Sequence, residues 1–348
     1  MNAPVNAPVN ASTMTRTKPE ETKLLICIWH AFTLWRPPAD LAERLRERWP
    51  QMKAVHLPNY SRMTEELPDT DIFVGFSIRP EQFACARKLK WIHSTAAGIG
   101  QLMYPELRRS GVVVTNASGV HKIPMAEHVL GMLVALARRF PDCLRAQQQG
   151  RWAQQELWDA PVRLRELRGQ TLLLVGFGTV GKEIARVVKP LGMKIWAVTR
   201  SGRGDASLAD RILPANELYR ALPQADFVVL AAPETRETRH IINAARLHLM
   251  KPTAYLINVA RGTLVDETAL AEALSKRAIA GAALDVTEQE PLPAASPLWK
   301  LDNLFLTPHM SATSESLWPH QIALLFENLE LWFSGRELIN RADLERGY

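Results

Sequence analysis

The sequence predicts an α/β protein with two Rossmann-like domains, each a doubly wound parallel sheet, on the strength of three observations. Short apolar runs alternate with helical patterns along nearly the whole chain, which is the βαβ rhythm of parallel sheets. A length of 348 residues exceeds the usual size of one core, so two domains are expected. The third observation is a dinucleotide fingerprint in mid-chain. TLLLVGFGTVGKEIARVV sets Gly176, Gly178 and Gly181 between an apolar run, Leu172 to Val175, and a helix face of Ile184, Val187 and Val188. GxGxxG alone is a weak signal, but strand, turn and helix in this order are what the motif requires. Gly176 permits the tight turn, Gly178 lets backbone N–H groups approach a pyrophosphate, and Gly181 allows close packing of helix on strand. Phe177, Thr179 and Val180 complete the cofactor-facing turn.

Each element follows in order. The N-terminus repeats itself as NAPVNAPVN and stays polar through Lys23, so residues 1–22 are expected to be a disordered tail without the apolar core of a secretion signal. LLICIW, MKAVHL, IFVGF, LKWIH and GVVVT then read as strands, with a helix after Pro37 and Pro38. MKIWAVT, ADFVVLAA, AYLINVA, AIAGAALDV and NLFLTPH form a second series after the fingerprint, with helices near Asn216 to Leu222 and Glu267 to Lys276. Between the series, Pro124 to about Gln149 carries Met125, Val129, Met132, Leu133 and Leu136 at helical spacing, long enough to bridge domains. A last helix, Glu315 to Phe333, lies too far along to extend the second sheet. The expected division is a discontinuous, flavodoxin-like substrate-binding domain, 23–120 plus 310–348, around a dinucleotide-binding domain, 121–309.

Composition narrows the function. The net charge of +6 comes from 42 basic and 36 acidic residues that are dispersed, which argues against a nucleic-acid footprint. The longest apolar run, Val129 to Ala137, has nine residues, whereas a membrane span needs about 20, so no membrane association is expected. Cys27, Cys85 and Cys143 are odd in number and show no metal-ligand spacing, which suits reduced thiols in a cytoplasmic protein and no metal site.

Ligands of open parallel sheets bind beyond the carboxyl ends of the strands, so polar residues just after apolar runs deserve inspection. Arg261 follows AYLINVA, Glu290 follows AIAGAALDV by a short loop, and His309 follows NLFLTP. An arginine can hold a carboxylate through paired hydrogen bonds, a histidine can exchange a proton near neutral pH, and a carboxylate can orient that histidine. Together they suit reduction of a 2-oxo acid. Taken singly, each has a plainer reading: a surface ion pair, a loop carboxylate before proline, a satisfied histidine. Asp266 reads as the N-cap of the next helix. His93 and His121 read as partly buried structural residues near the cleft, and His128 as one position in a helix pattern. Ser311 and Ser314 lack a nucleophile elbow, which disfavours serine hydrolysis.

NVARGTLVDETAL, GAALDVTEQEPLP and TPHMSATSE resemble the signature blocks of the D-isomer-specific 2-hydroxyacid dehydrogenases, and the resemblance covers nearly the whole chain after the tail. It implies that Arg261 binds the substrate carboxylate, that His309 is the acid/base, and that Glu290 hydrogen-bonds the histidine and raises its pKa. It also implies that Asp285 faces the nicotinamide and that Pro233, Val259, Ala260 and His309 border the cofactor. STAAGIG resembles the family's substrate loop, in which N–H groups of Ala97, Gly98 and Ile99 help hold the carboxylate; Gly100 stands where an aspartate is frequent. Family members are typically homodimers, and RWAQQELWDAP, with Trp152 and Trp158, resembles their dimer arm.

The residue ending the strand after the fingerprint helix selects the cofactor, because an acidic side chain there accepts a ribose 2′-OH and repels a 2′-phosphate. Thr199 stands at that position, followed by Arg200, Ser201 and Arg203. Guanidinium and hydroxyl groups suit a phosphate, so NADP(H) is preferred, with NAD(H) the second cofactor the turn would accept. The expected activity is an NAD(P)-dependent oxidoreductase acting on a small 2-oxo or 2-hydroxy acid, glyoxylate and hydroxypyruvate being the type. The competing readings are phosphoglycerate or phosphite dehydrogenase and, from another class, a dinucleotide-sensing corepressor. Glu290 argues against the formate class, where glutamine pairs with the histidine, and no further regulatory domain is expected after Tyr348.

Overall fold

The structure, a computed structural model, describes residues 18–345. Most of the expected tail lies outside the described residues. Residues 18–22 depart from it: Pro19–Glu21 form a helical turn, and Thr22 is buried, its hydroxyl donating to the Lys18 carbonyl at 2.8 Å. The chain divides into two compact units, one running to Val120 and resuming at Glu315, the other spanning His121–Ser314.

The first unit holds five strands: β1 (Lys23–Cys27), β2 (Lys53–Leu57), β3 (Ile72–Gly75), β4 (Trp91–Ser94) and β5 (Val113–Thr115). All pair in parallel, in the order β2-β1-β3-β4-β5, which is the flavodoxin-like order. β1, β3 and β4 are buried throughout, because helices cover both faces of a parallel sheet. Alternation then splits each strand between two cores. Leu24, Ile26, Ile72, Val74 and Trp91 join one, while Leu25, Cys27, Phe73 and Ile92 join the other. The helix Leu317–Phe333 closes the first core with Leu325, Leu329 and Trp332, whose ring stacks on Trp91 at 5.4 Å.

The second unit holds β6 (Thr171–Val175), β7 (Lys194–Thr199), β8 (Arg211–Pro214), β9 (Phe227–Leu230), β10 (Tyr255–Asn258), β11 (Gly281–Leu284) and β12 (Leu304–Leu306). Their order is β12-β11-β10-β9-β6-β7-β8, all parallel. The order reverses beside β6, so the crevice of a doubly wound sheet opens at its carboxyl end, where the glycine turn sits. β8 is absent from the sequence reading because RILP is short and lies at the sheet edge, only partly buried, so no apolar run marks it.

The stretch 124–149 is not one helix. Lys122–Ala137 and Phe140–Gln148 are separated at Arg139, which takes a left-handed conformation at φ 56°. Pro141, unable to donate within a helix, falls in the first turn of the second, where no donor is needed. No helix among the described residues is long and apolar enough to cross a membrane.

Candidate active site

The fingerprint turn is built by close approach. Gly176 sits at φ +101°, and a Cβ there would meet the Ala232 nitrogen at 2.5 Å. A Cβ on Gly181 would meet the Gly176 carbonyl oxygen at 2.3 Å, so helix Thr179–Val188 can lie on the turn only because both are glycine. Gly178 differs: a Cβ there would meet nothing within 4 Å, and as N-cap it offers no side chain to the helix N–H groups. Phe177 is buried in the core, whereas Gly178 and Thr179 are exposed and Val180 is half-buried. The turn is therefore anchored on one side and open at the helix N-terminus, the arrangement that binds a pyrophosphate.

Beyond β7, the Thr199 hydroxyl donates to the Arg203 carbonyl at 3.0 Å, closing a turn on which Arg200, Ser201 and Arg203 are exposed. Thr199 thus shapes the turn, and the cationic groups sit on its surface. Beyond β9, exposed Pro233 accepts the Thr238 hydroxyl on its carbonyl at 2.7 Å.

The three residues singled out for chemistry lie in loops after β10, β11 and β12, which are neighbours in the sheet. Val259 and Ala260 extend β10 and bury their side chains in opposite cores, so only their backbone can face a ligand. Asn258 fixes the next turn, accepting from the Ala260 N–H at 3.0 Å and donating to the Arg261 carbonyl at 2.9 Å. Arg261 is exposed; its Nη1 donates to the Ala260 carbonyl at 2.7 Å, and no carboxylate pairs with it among the described residues. Gly262 then presses on the β11 loop so closely that a Cβ would lie 2.0 Å from the Thr287 carbonyl. That contact joins the arginine loop to the glutamate loop. Glu290 accepts from the Thr287 N–H through Oε1 at 3.1 Å, and its Oε2 meets His309 Nδ1 at 2.6 Å. Glu290 and His309 therefore form a pair, with His309 Nε2 the ring nitrogen left for a substrate.

His309 takes φ 51°, an unusual backbone for a non-glycine residue, and the Asp285 side chain and backbone hold it there. Asp285, with a fully buried carboxylate, accepts from the Thr307 hydroxyl at 2.6 Å, the Met310 N–H at 2.8 Å and the Ser311 N–H at 2.9 Å, while its carbonyl accepts the His309 N–H at 2.8 Å. Burial works against ionisation of this carboxyl, but the bonds from Ser311, Thr307 and Met310 prevail and hold its pKa below the ordinary aspartate value. Because the Thr307 proton goes to Asp285, its oxygen accepts from His128 Nε2 at 3.1 Å. Burial lowers the His128 pKa, keeping the ring neutral as this donor. Neither His128 nor Thr307 is marked in the sequence: they are 179 residues apart, and one reads as a helix position, the other as a strand end. Asp266 is the helix N-cap expected, accepting the Ala269 N–H at 3.0 Å.

In the first unit, the loop after β4 exposes Ala97 and Gly98, while Ile99 is buried in the core. No hydrogen bond among the described residues uses the N–H of Ala97, Gly98 or Ile99. The loop ends are held instead: the Thr95 N–H donates to the Gly75 carbonyl at 3.1 Å, and the Ala117 N–H to the Ala96 carbonyl at 3.0 Å.

Residues 130–311 match the family described as D-isomer specific 2-hydroxyacid dehydrogenase, NAD binding domain. The chain belongs to this family. A glyoxylate reductase of Pyrococcus furiosus is 38% identical over 263 residues, 73% of this chain and 77% of that one. A crystal structure of a D-isomer specific 2-hydroxyacid dehydrogenase family protein from Aeromonas salmonicida is 34% identical with a TM-score of 0.76, covering 93% of this chain and 99% of that one. A D-isomer specific 2-hydroxyacid dehydrogenase from Xanthobacter autotrophicus Py2, solved with NADPH and MES, is 28% identical with a TM-score of 0.79, covering 94% and 100%. As a 2-hydroxyacid dehydrogenase, the chain is an oxidoreductase of CH–OH donors that uses a nicotinamide dinucleotide.

Proposed function

We propose that this dehydrogenase reduces a small 2-oxo acid of the glyoxylate or hydroxypyruvate kind, with NADPH as the preferred reductant. The observation that carries the reading is the 2.6 Å bond between His309 Nδ1 and Glu290 Oε2, on a loop that Gly262 presses against the loop of Arg261, an arginine with no carboxylate partner among the described residues. A relative named glyoxylate reductase and a relative solved with NADPH support the substrate class and the cofactor.

The turn fits a dinucleotide: Gly178 leaves room at the N-terminus of helix Thr179–Val188, whose N–H groups would take the pyrophosphate. Arg200, Ser201 and Arg203 would take the 2′-phosphate. When bound, the reduced nicotinamide supplies the hydride. Pro233 and the backbone of Val259 and Ala260 would border its site, and Asp285, its carboxylate taken up by Thr307, Met310 and Ser311, would act there through the loop it clamps. Arg261 would hold the substrate carboxylate with two parallel hydrogen bonds and so orient the ketone. The N–H groups of Ala97, Gly98 and Ile99, which no hydrogen bond among the described residues uses, would be available to a carboxylate. His309 Nε2–H would bond the carbonyl oxygen, stabilise the charge that grows there, and transfer its proton to give the hydroxyl. Glu290 accepts from Nδ1–H, so Nε2 holds the transferable proton in the imidazolium form and becomes the acceptor nitrogen once that proton has gone to the carbonyl oxygen.

The second unit carries exposed Phe140, Leu144, Trp152 and Trp158, with Trp152 91% exposed, and these would bury in a homodimer. A cytoplasmic setting suits the three free cysteines. The deciding experiment is a panel of 2-oxo acids assayed with NADPH and with NADH. Reduction of glyoxylate or hydroxypyruvate at a higher kcat/KM with NADPH is expected; a clear NADH preference refutes the cofactor assignment, and no turnover of any 2-oxo acid refutes the reading.

A further inference from the structure

The first unit has a small pocket of about 10 Å³ between the end of β4 and helix Leu317–Phe333, lined by Leu41, Val74, His93, Thr95, Trp318, Gln321 and their apolar neighbours. That volume is one water molecule by the same measure. Two buried polar atoms on its wall have no hydrogen-bond partner, His93 Nε2 and Gln321 Oε1, in side chains 1% and 4% exposed. One is a donor and the other an acceptor, for the following reason. Trp91 Nε1 donates to Thr115 Oγ1 at 2.9 Å, and the same hydroxyl lies 2.9 Å from His93 Nδ1. The buried Thr115 hydroxyl has no other acceptor among the described residues for its own proton, so it donates to Nδ1 and the neutral ring carries its proton on Nε2. Gln321 Oε1 accepts only, because its Nε2 already donates to the Thr95 carbonyl at 2.9 Å. Leaving both groups dry would be costly, and a water accepting from one and donating to the other satisfies both.

We propose that an ordered water bridges His93 Nε2–H and Gln321 Oε1, and that Gln321, so fixed, is a positioning residue for the Ala97–Ile99 substrate loop through its bond to Thr95. The chain of contacts runs Trp91, Thr115, His93, water, Gln321, Thr95, and it ties the loop to the last helix. Burial holds the His93 pKa down at about 4, which keeps the ring neutral across the working pH range. The functional part rests on the loop's role in the activity proposed above; the water and the tautomer do not.

Two measurements test it. In ring-selective ¹⁵N NMR of the unmodified protein, His93 is expected as a neutral Nε2–H imidazole from pH 5 to 8 with a water cross-peak; a protonated Nδ1, or titration near 6.5, overturns the bridge whatever the enzyme reduces. In kinetics, Gln321→Met removes the donor to Thr95 and the water acceptor. KM for the 2-oxo acid should rise about fivefold, the worth of one hydrogen bond, with kcat and the KM for the dinucleotide unchanged. A fall in thermal stability with an unchanged substrate KM makes Gln321 merely structural and overturns the positioning role. Should Gln321→Met not fold, His93→Phe carries the same kinetic expectation, with the Gln321 amide losing its anchor. If the unmodified protein reduces no 2-oxo acid, the activity reading fails and the NMR result still decides the bridge.

Discussion

At the scale of single residues, the proposed chemistry depends on one imidazole whose two nitrogens would have different tasks. His309→Asn keeps a hydrogen-bonding group but no proton donor of suitable acidity, so kcat should fall by a factor of about 10² to 10⁴ while dinucleotide affinity is retained; stopped-flow binding and steady-state turnover separate the two. Arg261→Lys keeps the charge and loses the planar fork, so it should not rescue Arg261→Ala, and both should show a raised KM for the 2-oxo acid with lower kcat. His93 supplies a pH effect on stability. Its folded pKa of about 4 lies below the unfolded value near 6.5, so the unfolded chain binds a proton the folded chain refuses. Stability from this group is therefore full above pH 6.5 and falls by about 3 kcal/mol as pH drops to about 4; urea unfolding across that window should show a steeper loss than in His93→Phe. Arg261, Glu290 and His309 were legible in the sequence because each sits just past an apolar run, where a parallel sheet delivers ligand-binding groups. His128 and Thr307 were not, since nothing local distinguishes a helical histidine that donates across 179 residues from one that merely packs.

At the scale of elements, glycine separates folding from binding within one turn. Gly181→Ala would drive a methyl group into the Gly176 carbonyl and should destabilise the second unit. Gly178→Ala meets no atom of the chain and should leave the melting temperature near its original value, yet weaken dinucleotide binding by blocking the approach to the helix N–H groups. Calorimetry on the pair tests this, and a Gly178→Ala protein that binds normally would remove the turn from the cofactor site. The Asp285 clamp is the other element-scale device. Asp285→Asn cannot accept from Thr307, Met310 and Ser311 together, so the His309 segment should relax from its positive φ and turnover should fall without loss of the Glu290 partner. Because the Asp285 pKa is depressed, the stability it contributes is present above the unfolded aspartate value and lost on acidification through the lower folded one. Strands with continuous apolar runs were readable in sequence; β8 was not, because an edge strand needs no such run. The single bridging helix read from 124–149 proved to be two, the break lying at Arg139 ahead of Pro141.

At the scale of the whole molecule, a ligand that binds only the folded chain raises its melting temperature in proportion to the logarithm of concentration over Kd. NADPH should stabilise the protein more than NADH at equal concentration, and Arg203→Ala with Arg200→Ala should remove the difference. The proposed homodimer gives a second test: sedimentation should show two copies, and Trp152→Ser with Trp158→Ser should shift the protein toward one.

Alternating apolar runs and a glycine fingerprint determined, from the sequence alone, that the chain folds as two parallel α/β sheets with a dinucleotide turn, because periodicity and glycine spacing are local properties of the chain. Only the tertiary structure decided which polar groups meet. The joining of the Arg261 and Glu290 loops over Gly262, the Asp285 clamp beneath the expected pair of Glu290 and His309, and the partners of His93 all arise from loops and helices far apart in sequence. Their separation in space is set by packing, which no window of neighbouring residues encodes.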